Sequence, residues 1–211
     1  REIPEITRVV VPRELSIDEI KMMADRCPKE VSLEVFVHGA LCYAVSGRCY
    51  WSSYLGGKSG LRGRCVQPCR RLYEQEKNRQ RFFSCRDLWL DVLSKLLAEI
   101  PGVSALKIEG RKKGPHYVYY TTAAYRLIRD YPGDRDMKKT ACEYLDYALG
   151  RKGTHYHFLP QRPFVPVDVT DQTGSGMLVG KIQGTNKKPY LSPRIDLFNQ
   201  DVLRIGYEDE P

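Results

Sequence analysis

The sequence predicts an α/β fold made of three parallel strand–helix units, followed by a small β-barrel. Three observations predict it. Short apolar runs at 8–11, 32–38 and 103–109 read as strands. Helical patterns at 16–26, 84–99 and 117–130 alternate with them. Beyond residue 150 the composition shifts to proline, then to short strands separated by Gly- and Asn-rich turns.

The first strand is Arg8-Val-Val-Val-Pro12, β-branched and apolar. Ser16 is the expected N-cap of the first helix, and Glu19 completes a capping box. Ile17, Ile20 and Met23 or Ala24 share one face, and Cys27-Pro28 ends the helix. Ser32 to His38 is the second strand. A strand–helix–strand connection of this length gives parallel strands and a right-handed crossover. Residues 39–86 are rich in cysteine, glycine and arginine and read as long loops. Loops this long are uncommon unless functional or stapled. Leu88, Val92 and Leu96 predict a helix capped by Ser84 or Asp87 and ended by Pro101-Gly102. Val103 to Glu109 is the third strand. Gly110-Arg-Lys-Lys-Gly114 is a basic turn, and helices follow at 117–130 and 137–149. The resulting divisions are a domain over 1–150, a Pro-rich linker over 151–169 and the small β-barrel over 170–211.

Hydrophobic residues make up 42% of the 211, enough for a packed core and too many for wholesale disorder. No apolar run reaches the ~18–20 residues of a membrane span, so no membrane association is expected. The chain opens at Arg1 rather than Met, the mark of a processed chain or of a piece of something longer. The net charge is +8, and residues 42–86 alone hold 10 basic against 2 acidic side chains. Such a patch suits an anionic partner. Arg62, Arg64, Arg70 and Arg71, with Lys112 and Lys113 in the basic turn, are the expected phosphate contacts. Tyr43, Tyr50, Trp51 and Tyr54 could stack a base.

The same segment holds Cys42, Cys49, Cys65, Cys69 and Cys85 among seven cysteines. An odd count and no secretory pattern point to a reducing, cytoplasmic setting and to thiols that bind metal or cycle redox states. Cys42 follows the C-terminal end of a parallel strand, where ligands gather in βα folds. Four thiolates there suit a [4Fe–4S] cluster or a tetrahedral zinc. The spacings of 7, 16 and 4 do not match paired C-x₂-C zinc ribbons, which favours the cluster. Cys27 and Cys142 lie on predicted helices and read as core thiols.

The run Glu34-Val-Phe36-Val-His38-Gly39-Ala40-Leu41-Cys42, with Gly47-Arg-Cys49 and Ser52 beyond, resembles the signature of the U32 peptidase family, also described as collagenase-like. Trp51 stands where that signature has an aliphatic residue. The resemblance continues through Arg62-Gly-Arg-Cys65, Gln67-Pro-Cys69-Arg70 and Ser104 to Arg111, covering about 5–130. It implies a TIM-barrel-like domain of which these strands are the last three, and a small C-terminal β-domain. The five preceding barrel units are absent, so a barrel half from a longer protein or a partner chain is expected to complete the fold. It further implies a four-cysteine iron–sulfur cluster and hydroxylation of tRNA or rRNA, with prephenate as the donor. The ligands are expected to be Cys42, Cys49, Cys65 and Cys69, with Cys85 as the alternative fourth. The older protease name makes a collagenase-like peptidase the alternative activity, and a non-catalytic RNA-binding module the third reading.

Lys107, Glu109 and Arg111 point to one strand face, with Leu106 and Ile108 on the other. Three charges on a buried strand are costly unless paired or functional. They are the expected catalytic group together with His38, and Lys107 and Arg111 suit a carboxylate-bearing donor. Glu34 on the neighbouring strand is a possible ion-pair partner.

Overall fold

The computed structural model describes residues 5–110, 113–148, 152–160, 166–169, 179–203 and 205. Its elements are β1 (Arg8–Val11), α1 (Ile17–Arg26), β2 (Ser32–Ala40), α2 (Trp51–Gly56), β3 (Tyr73–Gln75), β4 (Asn78–Gln80), β5 (Asp87–Trp89), α3 (Lys95–Ala98), β6 (Val103–Ile108), α4 (Pro115–Asp130), α5 (Arg135–Ala148), β7 (Gly153–Thr154), β8 (Ile182–Thr185) and β9 (Lys188–Leu191).

β2 is the centre of the sheet. β1 pairs with it in parallel from Arg8↔Ser32 to Val11↔Val35. β6 pairs in parallel on its other side, from Leu33↔Val103 to His38↔Ile108. The expected parallel units are therefore present. Beyond the end of β1, β5 takes the vacated flank of β2 antiparallel, at His38 to Ala40, and β7 adds to β5. Among the described residues the sheet is open and does not close into a barrel.

Period-2 alternation on β2 sets the core. Leu33, Val35 and Val37 are buried with Ile17 and Ile20 of α1, Leu97 of α3, Ala124 and Ile128 of α4, and Leu145 of α5. α1 begins where expected. The Ser16 hydroxyl accepts from the Glu19 N–H at 3.3 Å, and the Glu19 carboxylate accepts from the Ser16 N–H at 2.7 Å.

The expected helix at 84–99 is corrected. Residues 87–89 form a strand, 91–94 a 3₁₀ turn, and only 95–98 is α-helical. Leu88 and Leu90 are both buried, a strand period that Leu88 and Val92 disguised as a helical one. The Leu90 N–H donates to the Val37 carbonyl, so the backbone bonds of this stretch go to the sheet.

Residues 152–160 and 166–169, expected as linker, are laid against the domain. Phe158 is buried and its carbonyl accepts from the Ile17 N–H at 3.0 Å. The Pro166 carbonyl accepts from the Arg86 N–H at 2.7 Å, and Arg86 pairs with Asp168 at 3.0 Å. Of the expected β-barrel over 170–211, the described residues contribute one antiparallel hairpin, β8–β9; residues 170–178, 204 and 206–211 lie outside them. No described helix is long and apolar enough to cross a membrane.

Candidate functional site

The cysteine loops leave the C-terminal end of β2. Gly39 sets the exit, with φ near +127°; a Cβ there would meet Glu109 Cβ at 2.7 Å, so a larger residue would push β6 away. Cys42 and Cys49 precede α2, and Cys65 and Cys69 follow it, Cys69 within a 3₁₀ turn over 68–70. All are half-buried free thiols. Ser52, fully buried, ties α2 to the Cys65 loop. Its hydroxyl donates to the Lys58 carbonyl at 2.6 Å and accepts from the Val66 N–H at 3.0 Å. Cys65 Sγ accepts from the Gln67 N–H at 3.3 Å.

Cys69 lies within electrostatic reach of Cys42, Cys65 and Cys49, and Cys42 within reach of Cys49 and Cys65. Burial pushes both the Cys42 and Cys69 thiols up, and the neighbouring cysteines add to it. Burial pushes Cys85 to about 11; it faces Cys69 and Cys42 from the core side. Among the described residues no three His, Cys, Asp or Glu side chains converge closely enough to hold a metal ion. The donor chemistry, four soft thiols on adjoining loops, fits a multi-iron cluster, whose own width separates its ligands, better than one ion.

Arg70 is not a phosphate contact. Its side chain is 4% exposed and pairs with Asp87 at 3.1 Å, and it donates to the Leu41 carbonyl at 3.2 Å. A guanidinium beside a buried carboxylate cannot reach solvent phosphate. Arg62, Arg64 and Arg71 are exposed. Lys113 is half-buried, 5.5 Å from the Tyr117 ring centre, and Lys112 lies outside the described residues. Among the stacking candidates, Trp51 packs edge-on against Phe83 at 5.1 Å and is half-buried, whereas Tyr50 and Tyr54 are exposed.

The opposite face of the sheet from the core carries paired charges. Lys107 pairs with Glu34, which also meets Arg8 at 3.7 Å. The Lys107 hydrogen bond holds the Glu34 carboxyl below its ordinary range. Arg13 pairs with Glu109 and lies 3.7 Å above the Phe36 ring, with Lys107 at 5.5 Å from the same ring. The sequence reading singles out Phe36 only as part of the signature and does not single out Arg13; the available signal is Arg13's place just past the end of β1. Arg111 lies outside the described residues. Leu106 and Ile108 face the core, as the alternation requires.

His38 departs from this face. A register shift between Phe36 and His38 turns it toward α4. It is fully buried, stacked on Trp89 at 5.5 Å, with Nδ1 3.3 Å from the Tyr125 hydroxyl. The Tyr125 O–H donates to the Val37 carbonyl at 2.7 Å, so its oxygen accepts from His38 Nδ1–H. Burial, with Lys113 nearby, lowers the His38 pKa to about 3, so it is neutral. This is a core histidine with no access to the charged face, which removes it from the expected catalytic group.

A family model described as "Peptidase family U32" matches residues 4–165. The chain is 34% identical over 182 residues to tRNA hydroxylation protein P of Helicobacter pylori, covering 77% of this chain and 42% of that one. It is 39% identical over 130 residues to the 23S rRNA 5-hydroxycytidine C2501 synthase of Escherichia coli, covering 59% and 20%. It is 36% identical over 137 residues to a collagenase of Porphyromonas gingivalis, covering 56% and 33%. The chain thus spans less than half the length of each of these relatives. No solved structure matches significantly.

Proposed function

The chain belongs to peptidase family U32, and from that premise we propose that it is the cysteine-bearing part of a cytoplasmic iron–sulfur protein that hydroxylates tRNA or rRNA. The gathering of Cys42, Cys49, Cys65 and Cys69 inside the one strongly basic segment carries the reading. RNA hydroxylation names two of the relatives above. A [4Fe–4S] cluster, when bound, supplies electron-transfer or Lewis-acid chemistry. The four thiols would hold it, and the Gln67 N–H on Cys65 would tune it. Arg62, Arg64 and Arg71 would take RNA phosphates. Lys107 would orient a carboxylate-bearing donor such as prephenate, which would compete with Glu34 for the ammonium, and Arg111 would assist. Barrel closure, TIM-like, would come from a further chain segment or a partner laid along the outer edge of β1, and a small β-barrel would follow.

Hydrolysis of peptides is the second reading, favoured by the collagenase relative. It finds little support in the histidines. His38 is buried among aromatic rings, and His155 is engaged with Asp91 at 3.1 Å.

The test uses the full-length protein purified anaerobically. Iron and acid-labile sulfide near four each per chain, and restored hydroxylated nucleoside in RNA from cells lacking the gene, are expected. Iron-free protein that restores the nucleoside fully, or Cys42→Ser that does so, overturns the reading.

A further inference from the structure

We propose that the outer surface of α4 and α5 carries a stacking platform for an unpaired RNA base, an inference that rests on the RNA reading above. Tyr120 sits at the centre of four rings. His116 lies 4.6 Å away, Tyr119 5.2 Å, Tyr144 5.4 Å and Tyr147 5.5 Å, centre to centre. His116 and Tyr120 are one helical turn apart on α4, and Tyr144 and Tyr147 are three residues apart on α5, so each pair shares a face. The His116 Nε2–H donates to the Tyr147 carbonyl at 3.1 Å. That bond fixes the imidazole plane and holds the last turn of α5 against the first turn of α4.

Tyr120 and Tyr144 pack in part against the buried layer, whereas His116 and Tyr119 stand outside it. α4 buries Tyr117, Thr121, Ala124, Tyr125 and Ile128 on its inner face. His116 and Tyr119 belong to a second stripe that faces outward. Tyr119 is 64% exposed and His116 is exposed as well. Large aromatic area left in water beside a rigid scaffold is a feature of sites that bind planar ligands.

Charge selects the ligand. The chain enters α4 through Gly110-Arg-Lys-Lys-Gly114 and leaves α5 through Gly150-Arg-Lys152. Because α4 and α5 are antiparallel, with His116 on Tyr147, the described cations of these segments, Lys113 and Lys152, lie at the same end of the pair as the platform. Glu143 and Asp146 lie on α5, and Glu143 meets Lys139 at 4.0 Å. Phosphate therefore approaches from the Lys113 and Lys152 end. A planar ring with an anion beside it is a nucleotide. An open, sequence-indifferent aromatic surface matches the way single strands are held. The platform stands just past the C-terminal end of β6, the same end of the sheet from which the Cys42 loop leaves β2.

The experiment titrates the full chain with a fluorescein-labelled, unstructured oligoribonucleotide, and with an abasic oligomer of the same length and phosphate count. Tyr119→Ala and His116→Ala are expected to weaken binding of the base-bearing oligomer about tenfold, the order of one base stack. Binding of the abasic oligomer should not change, and Tyr119→Trp should retain or improve the affinity. Both substituted residues are exposed, so folding is expected to survive, checked by circular dichroism. Wild-type affinity in both alanine variants, or equal loss on both oligomers, overturns the platform and leaves the RNA reading standing. A wild-type chain that binds neither oligomer in dilute buffer overturns both.

Discussion

Arg70 and Asp87 form a buried ion pair that joins the cysteine loops to the sheet. The guanidinium lies 3.1 Å from the carboxylate, with side chains 4% and 2% exposed, and it also donates to the carbonyl of Leu41. Arg70 is adjacent to Cys69, and Leu41 to Cys42. One side chain thereby ties two proposed cluster ligands to β5. Burial pushes the Asp87 carboxyl up, and Arg70 opposes it. The pair is a positioning device whose net stabilisation is small against its desolvation, but whose halves cannot be removed singly.

Arg70→Ala is accordingly expected to lower unfolding stability by about 3–5 kcal/mol in urea titration, since it removes the Arg70 guanidinium from a buried ion pair. The double variant Arg70→Met with Asp87→Leu should recover most of that loss. A stable Arg70→Ala protein whose only defect is weaker RNA binding would return Arg70 to the phosphate contacts.

Cluster assembly discriminates the ligands. Ser at 42, 49, 65 or 69 should each lower bound iron after anaerobic reconstitution, with a bleached visible band. Cys85→Ser should keep the iron, because that thiol is enclosed by the core and held protonated up to about 11. Cys27→Ser and Cys142→Ser should keep it too. Loss of iron in Cys85→Ser with retention in Cys69→Ser would exchange their roles.

The exposed arginines should govern the salt dependence of RNA affinity. Each of Arg62→Ala, Arg64→Ala and Arg71→Ala is expected to reduce the slope of log affinity against log salt by about 0.7, the single-strand value per phosphate neutralised. An unchanged slope in the triple variant would place the RNA elsewhere on the molecule.

Acid should unfold the domain partly through His38. The imidazole titrates near 3 in the fold against 6.5 ordinarily, because burial, and then Lys113, disfavour its charge. Trp89, Tyr117 and Tyr125 are the rings around it. Below 6.5 the unfolded chain takes up a proton that the folded chain refuses. Stability from this group is therefore complete above pH 6.5 and falls by about 1.4 kcal/mol per pH unit as the pH drops toward 3. His38→Phe should flatten the urea-midpoint profile over that window by one proton. An unaltered profile would show that His38 charges within the fold.

On the charged face, a double-mutant cycle of Arg13→Ala and Glu109→Gln should give a coupling of about 0.5 kcal/mol, modest because the Glu109 side chain is 39% exposed. Arg13→Ala alone should cost more, since it also uncovers Phe36. Strict additivity would mean that the pair contributes nothing to folding.

Much of the scaffold follows from local pattern alone. β-branched runs placed β1, β2 and β6, and the Ser16–Glu19 box placed α1, because propensity and capping act over a few residues. The segment at 84–99 was ambiguous for the same reason: Leu88, Val92 and Leu96 fit a helix until the backbone of Leu90 finds the Val37 carbonyl across 53 positions of chain. What the sequence by itself determined is the chemistry offered: four clustered thiols in a basic segment, and charges at 107 and 109 on one strand face. The tertiary structure alone decided which of these groups meet solvent. It drew Arg70 into the core against Asp87, turned His38 away from the charged face at a strand bulge, and set Arg13 on Glu109 over Phe36. Burial and partner choice depend on distant segments packing together, and no short stretch of sequence encodes the desolvation that separates a buried charge from an exposed one.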